Sequence, residues 1–200
     1  MENISYIGLS QQMALHHLMD VTANNMANMN TPGFKAQSIL FKEYLNKTKD
    51  DGEKISQVED FGTYRDVSQG TLTQTANHLD FALQGDGYFA VQTPSGVRYT
   101  RDGSFSLNSK GEIVTKTGYQ VLSDGGSPLT VPAGTTTISA SETGTLSSDK
   151  GSIGKLKIVT FGNDQTLTPV GNNLLDARTA QEKPVDKPHV AQGMLENSNV

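Results

Sequence analysis

The sequence predicts a mainly β fold with one N-terminal α-helix, on three observations. A helical apolar repeat occupies residues 4–28 and stops at a Thr-Pro-Gly. From about Asn77 the apolar pattern alternates every second residue between glycine-, asparagine- and aspartate-bearing turns. Glycine is frequent (20 residues) and tryptophan absent, with a hydrophobic content of only 34%. A helix that lacks tertiary partners would be marginal in water, whereas short alternating strands at close spacing mark an antiparallel β domain. The expected organisation is an N-terminal helix and turn over 1–35, an extended linker or arm over 36–77, an antiparallel β domain over 78–178 and an extended tail over 179–200.

The helix carries a three-four repeat. Ile4, Ile7, Gln11, Ala14, Leu18, Val21, Asn25 and Asn28 fall on alternating a and d positions of one heptad register. Apolar residues also flank this seam, with Leu15 and Met29 on one side and Tyr6, Met13, Met19 and Met26 on the other. Only a narrow stripe bearing Asn3, Ser10, His16, His17 and Asn24 is polar. A helix apolar over most of its circumference is buried against more than one neighbour. Each buried Leu or Ile would return roughly 1.5–3 kcal/mol, so the segment is expected to be loosely ordered alone and helical in an assembly.

Residues 23–35 read A-N-N-M-A-N-M-N-T-P-G-F-K, with Asn24, Asn25, Asn28 and Asn30 in the last helical turns. Asparagine is a mediocre helix former because its amide competes for backbone groups. One such residue would be an ordinary frayed end. A cluster at helical spacing fits amides that set register against a partner equally well. Thr31, preceding Pro32, is pushed out of the α region, and Pro32-Gly33 suits the centre of a type II turn. Phe34 and Lys35 then start a new direction. Residues 36–44 are mildly amphipathic through Ile39, Leu40, Phe41 and Tyr44, and 46–54 read as a polar loop. Asp50, Asp51 and Glu53 in that loop match no EF-hand spacing, which leaves a solvated loop.

Strands are expected at 79–83, 88–92, 97–101, 104–107, 113–115 and 119–122, then at 129–131, 136–139, 156–161 and 166–168. Gly85-Asp86-Gly87, Gly96, Asp102-Gly103 and residues 108–111 supply the turns between the earlier ones. The tail from about Ala180 to Gly193 carries Pro184 and Pro188 among charges, which favours extended chain.

Composition and motifs narrow the function classes. The net charge of -5 is spread along 200 residues, and no basic patch is interleaved with aromatics, so no nucleic-acid partner is expected. Without cysteine there are no disulfides or thiolate metal sites, and the compartment stays open. Met1-Glu2-Asn3 lacks a positive n-region and no long apolar run follows, so neither a cleaved leader nor membrane insertion is expected. Phosphate-loop, nucleophile-elbow and zinc-protease motifs are missing from the sequence. His16, His17 and Asp20 could share one helix face, which is more often a polar face than a metal site. Asp80, Asp86 and Asp102 could be imagined as paired carboxylates for glycoside hydrolysis, but each reads better as a turn or strand-edge residue. No catalytic residue, cofactor or metal ligand is assigned.

Four stretches carry a family resemblance. Residues 23–35 resemble the N-terminal signature of the bacterial flagellar basal-body rod and hook family. Residues 69–89, Q-G-T-L-T-Q-T-A-N-H-L-D-F-A-L-Q-G-D-G-Y-F, are similar to that family's entry into its β domain. Residues 99–114, Y-T-R-D-G-S-F-S-L-N-S-K-G-E-I-V, are similar to its first hairpin, and 192–200, Q-G-M-L-E-N-S-N-V, to the start of its C-terminal region. The opening over 4–15 most resembles the proximal-rod branch, with the distal-rod branch next. Pro32 departs slightly, a non-proline residue being usual before this glycine. The family also continues into a terminal helix that pairs with the N-terminal one; on this expectation the sequence stops where that helix would begin, so that either it is a fragment or the seam finds its partners entirely in other subunits.

The resemblance implies a structural subunit of the axial rod that crosses the periplasm, not an enzyme. Its partners would be other copies of itself, other proximal- and distal-rod proteins and the flagellar type III export apparatus. N-terminal helices would pack in the inner wall of a helical tube through heterologous contacts, with the β domain outside. On this reading Ile4, Ile7, Ala14, Leu18, Val21, Asn24, Asn25, Asn28 and Phe34 form the assembly interface, with Asn24, Asn25 and Asn28 as buried register-setters. A carbohydrate-binding or glycosidase module would need an aromatic platform or a carboxylate pair. A secreted β-domain adhesin would leave the asparagine helix unexplained.

Overall fold

The structure, a computed structural model, describes residues 2–47, 54–178 and 180–200, with side chains placed except for those of 2–7 and 42–61. Among the described residues it is mainly antiparallel β with one α-helix, at the N-terminus, as the pattern predicts. Helix α1 (Glu2–Ala27) covers the predicted span except Asn28, which begins the turn after it. It ends where expected: Phe34 N–H donates to Thr31 O at 3.2 Å, closing a turn with Pro32 and Gly33 at its centre.

The 36–77 region departs from the expected linker. Strands β1 (Gln37–Lys47) and β2 (Lys54–Arg65) form a long two-stranded hairpin, in register from Gln37 opposite Arg65 to Lys47 opposite Lys54. A register shift at Leu40/Phe41 breaks the alternation of β1, which is why its run of Ile39, Leu40 and Phe41 does not read as a half-buried strand. Most of the polar loop over 46–54 lies outside the described residues, with its ends, Lys47 and Lys54, paired in the hairpin. The hairpin also gives the helix a neighbour, because α1 lies against both of its strands.

The β domain follows. Its strands are β3 (Leu72–Gln74), β4 (Phe81–Gln84), β5 (Tyr88–Thr93), β6 (Gly96–Thr100), β7 (Phe105–Leu107), β8 (Ile113–Thr115), β9 (Gln120–Val121), β10 (Ile138–Ala140), β11 (Thr145–Ser148), β12 (Gly151–Lys155), β13 (Ile158–Thr160), β14 (Thr168–Pro169), β15 (Leu175–Asp176), β16 (Lys183–Pro184), β17 (His189–Gln192) and β18 (Met194–Glu196). The main sheet runs β14-β15-β6-β5-β9-β8-β7, with β13 also paired to β5 and β16 to β13. Strands β10, β11 and β12 make a separate three-stranded sheet. Part of the expected strand at 166–168 is instead a 3-10 turn over Asp164–Thr166, capped by the Asn163 side chain, which accepts from Gln165 N–H. The stretch 129–131 forms only a bridge between Thr130 and Glu112.

Strand β5 organises the core because both of its faces are buried. Phe89 and Val91 face a cluster with Phe81, Phe105, Ile113, Leu129 and Leu156, while Tyr88 and Ala90 face another with Tyr99, Phe161 and Leu167. Phe89 meets Phe105 edge-on with ring centroids 5.3 Å apart, and Tyr99 meets Phe161 likewise at 4.9 Å. The tail, expected to be merely extended, is tied into this body: β17 pairs with β4 and β18 with β3. That pairing places the last residues beside the turn that ends α1.

Candidate assembly interface

Helix α1 uses its heptad seam on its own chain. Ala14 and Val21, seven residues apart, are buried, and the hairpin is the element packed against the helix. The seam expected to look to other subunits therefore has an internal partner over part of its length. What stays open is the remaining apolar circumference: Leu9, Met13, Leu15, Leu18, Met19, Met26 and Met29 are exposed, Met19 at 71%. Leu15, Leu18 and Gln11 border an apolar groove of about 290 Å³ with exposed Phe41 of β1 on its other side. Exposed apolar side chains gathered in this way are the kind of surface that protein contacts cover. The side chains of Ile4 and Ile7 lie outside the described residues. His16 and Asp20 do meet, Nδ1 to Oδ2 at 3.2 Å, as an exposed pair on the helix surface.

The asparagines divide among separate tasks. Asn25 Nδ2 donates to Gln37 O at 2.8 Å and its Oδ1 accepts from Gln37 N–H at 3.0 Å, a two-point bond to the first residue of β1. Asn28 works locally: its Nδ2 donates to Asn24 O at 2.9 Å, satisfying a carbonyl at the helix end, and its Oδ1 accepts from Thr31 Oγ1. Asn24 is exposed and Phe34 half-buried. Asn25→Leu removes both bonds to Gln37 and leaves its main-chain N–H and C=O without those partners, a loss of about 1–3 kcal/mol. The expected result is faster amide exchange along α1 with unchanged exchange in β4, β5 and β6; equal exchange in α1 would show that the clamp does not hold the helix.

Below the helix end lies a buried ionic knot that the sequence did not disclose. Glu196, 2% exposed, accepts from Lys35 Nζ at 2.5 Å, Arg101 Nε at 2.6 Å and Gly70 N–H at 3.0 Å. Its carbonyl accepts from Gly33 N–H at 2.7 Å. Lys35 also donates to Ser68 O, and the Arg101 guanidinium to the carbonyls of Leu83, Gly85 and Gly87. Asn199 adds a neutral strap: its Oδ1 accepts from Ala36 N–H at 2.7 Å and its Nδ2 donates to Asp66 O and Ser68 O. The four stretches that carry the resemblance thus converge on one carboxylate.

Two glycines let the backbones come this close. Gly33 sits at φ +67, and a Cβ there would lie 2.5 Å from Arg101 C. A Cβ on Gly70 would lie 2.0 Å from Asn197 O. Burial alone would raise the Glu196 carboxyl, but the Arg101 charge and the hydrogen bonds from Lys35, Arg101 and Gly70 outweigh it and hold it below the usual carboxylate range. Burial presses the Lys35 ammonium below its usual range, against the pull of Glu196. Because the unfolded chain binds a proton at Glu196 more readily than the folded one, this stabilisation is complete above about pH 4.5 and is lost as pH falls through the depressed folded value. Acid unfolding followed by circular dichroism should therefore steepen below about pH 4.5 and be blunted in Glu196→Gln; identical acid limbs would overturn this.

Comparison with known proteins matches two segments of the chain. A family model described as flagella basal body rod protein matches residues 6–35, and one described as flagellar hook protein FlgE/F/G D1 domain matches residues 82–148. The chain is similar to the flagellar basal-body rod protein FlgF of Caulobacter vibrioides, 37% identical over 204 residues, covering 100% of this chain and 83% of that protein. It is similar at 37%, with the same coverage, to the FlgF of Mesorhizobium japonicum. It is 34% identical to the flagellar basal-body rod protein FlgG of Bacillus subtilis, over 98% of this chain and 84% of that one.

Proposed function

The chain belongs to the flagellar basal-body rod protein family, and from that premise we propose that α1 is the element through which it polymerises, in the proximal part of the rod. It is a structural subunit of the flagellar basal body, located in the rod, and it assembles with other rod components. The proximal position is supported by the FlgF relatives, which match at 36–37% identity over 98–100% of the chain. Its work is mechanical rather than catalytic. Delivery through the flagellar type III apparatus is supported by a cysteine-free sequence, which needs no oxidative step before or after passage.

The observation that carries the interface assignment is the uncovered apolar face of α1. Exposed Leu and Met side chains cost nothing further once a neighbouring subunit covers them, and each returns roughly 1.5–3 kcal/mol on burial. Residues 1–35 form the assembly arm in this reading, with 36–77 leading from it, the β domain over 78–178 outside and 179–200 returning to the helix end. Ile4, Ile7, Leu18, Asn24 and Phe34 belong to the contact surface; Ala14, Val21, Asn25 and Asn28 shape it from within the chain. Electron microscopy of purified basal bodies carrying a labelled copy tests this reading. Label confined to the proximal rod is the expected result, and label in the hook, the distal rod or nowhere in the basal body would overturn it.

A further inference from the structure

The root of the hairpin is closed by side chains rather than by further strands. Gln37 stands directly opposite Arg65. In an antiparallel ladder every second opposed pair turns its N–H and C=O groups outward, and here both outward sets are taken. Asn25 of α1 holds the two groups of Gln37. Gln165 does the same on the other strand: its Oε1 accepts from Arg65 N–H at 3.0 Å and its Nε2 donates to Arg65 O at 2.7 Å. One position further down, Asp66 N–H donates to Ala36 O at 2.8 Å, while the companion bond is opened and bridged by Asn199, whose Oδ1 accepts from Ala36 N–H and whose Nδ2 donates to Asp66 O. A carboxamide offers one C=O and one NH₂, the pairing pattern of a main-chain residue, so each of these side chains stands in for one residue of an added strand.

The three carboxamides come from the end of α1, the 3-10 turn after β13 and the stretch after β18. They fasten the helix, the β domain and the C-terminal residues to one end of the hairpin. Arg65 doubles the hold on the β domain: its buried side chain donates through Nη2 to Asp164 O at 2.6 Å and Leu167 O at 2.8 Å. The 3-10 turn that replaces an expected strand thus supplies Gln165 and, from its two ends, the carbonyls that meet Arg65. Beyond its root the hairpin packs against α1, so the direction of helix and hairpin relative to the β domain is set at this joint.

We propose that Gln165 and Arg65 are positioning residues for assembly: they lock the arm made of α1 and the hairpin at one angle to the β domain, and so aim the apolar face of α1 at the neighbouring subunit. The inference rests on the assembly reading above and adds to it the joint that orients the contact. An arm free to swing is aligned for only a fraction of the time, and apparent affinity falls by that fraction; alignment for about one-tenth of the time weakens each contact about tenfold. The chain has no cysteine, so pairs of nitroxide labels can be placed at Gln12→Cys, Thr63→Cys and Ser109→Cys, exposed positions on α1, on β2 and in the turn after β7. Double electron–electron resonance on the full chain should give one narrow distance between 63 and 109 and another between 12 and 63. Gln165→Ala should broaden the first and leave the second narrow, and Asn25→Leu should do the reverse. Arg65→Met combined with Gln165→Ala keeps the packing of the Arg65 stem and should broaden the first distance further. Amide exchange in β4, β5 and β6 should match the parent, which separates a released joint from an unfolded domain; Gln165→Ala, a change at an exposed side chain, decides alone if the double variant melts early. In cells, Gln165→Ala should lower assembled rods by about tenfold at parental levels of the chain. A 63–109 distance that is broad in the parent, or as narrow in Gln165→Ala as in the parent, would overturn the joint, as would broadening of the 12–63 distance by Gln165→Ala. Parental rod numbers from a chain whose 63–109 distance has broadened would overturn the positioning role. If the parent chain is itself missing from basal bodies, the assembly reading fails, and the label distances still decide the joint.

Discussion

Glu196→Leu will lower the unfolding free energy by about 3–5 kcal/mol and the midpoint of thermal unfolding by roughly 6–20 °C. The reason is asymmetry. Lys35 is 7% exposed and Arg101 6%, and both lie against a carboxylate that is 2% exposed. Replacing an entire buried ion cluster by apolar residues can be neutral, but removing one member leaves the others buried and uncompensated. Here the loss of a single acid strands two cations and also frees Gly70 N–H. Glu196→Gln should fall between the parent and Leu, because its amide oxygen can still accept while the counter-charge is gone. Urea unfolding of the purified chain measures both, and a change below about 1 kcal/mol for Leu would mean that water replaces the carboxylate. The same substitution loosens the attachment of β18 to the turn after α1, so the C-terminal strand should lose amide-exchange protection before the main sheet does.

How much of this could be read from the chain depends on the distance over which each signal acts. Helix α1 and strands β4 to β8 were legible because their signals are local: a period near 3.6 in one case, short apolar runs bounded by turn residues in the other. The hairpin β1–β2 was not, since the irregularity at Leu40/Phe41 interrupts the alternation of β1. The tail strands are short and lie among prolines and charges, without a turn-bounded apolar run to reveal them, and β18 pairs with residues 72–74, far away in the chain. The knot was hidden for the same reason. Glu196 is separated from Lys35 by 161 residues and from Arg101 by 95, and a lone Glu in residues 192–200 has no visible partner. The stretches that carry the resemblance do include Lys35, Arg101 and Glu196, but they also include Asp80, Asp86, Asp102, Lys110 and Glu112, so the charges alone single out no buried site. The heptad seam was legible as a seam. Which part of it the chain would cover itself was not, because that depends on a hairpin the pattern concealed.

Met19→Asp together with Met26→Asp will abolish motility and rod assembly while leaving the β domain folded. Both side chains are exposed, at 71% and 66%, so the change removes little packing within the chain, and surface substitutions of this kind alter stability by about 0.5 kcal/mol or less. The penalty appears on assembly. A carboxylate carried into an apolar contact must be desolvated or protonated, and even a few kcal/mol per contact reduces association by orders of magnitude at about 1.4 kcal/mol per tenfold. In a polymer the cost recurs at every subunit, so loss should be complete rather than partial. Met19→Leu with Met26→Leu keeps volume and apolar character and should assemble normally. Ala14→Asp separates the two faces of the helix: Ala14 is buried in the single chain, and its replacement should release α1 from the hairpin in the monomer, seen as rapid amide exchange, before any subunit is met. Normal motility in the double Asp variant would place the polymer contact elsewhere. Rapid exchange of α1 in that same variant would instead show that Met19 and Met26 hold the helix rather than join subunits.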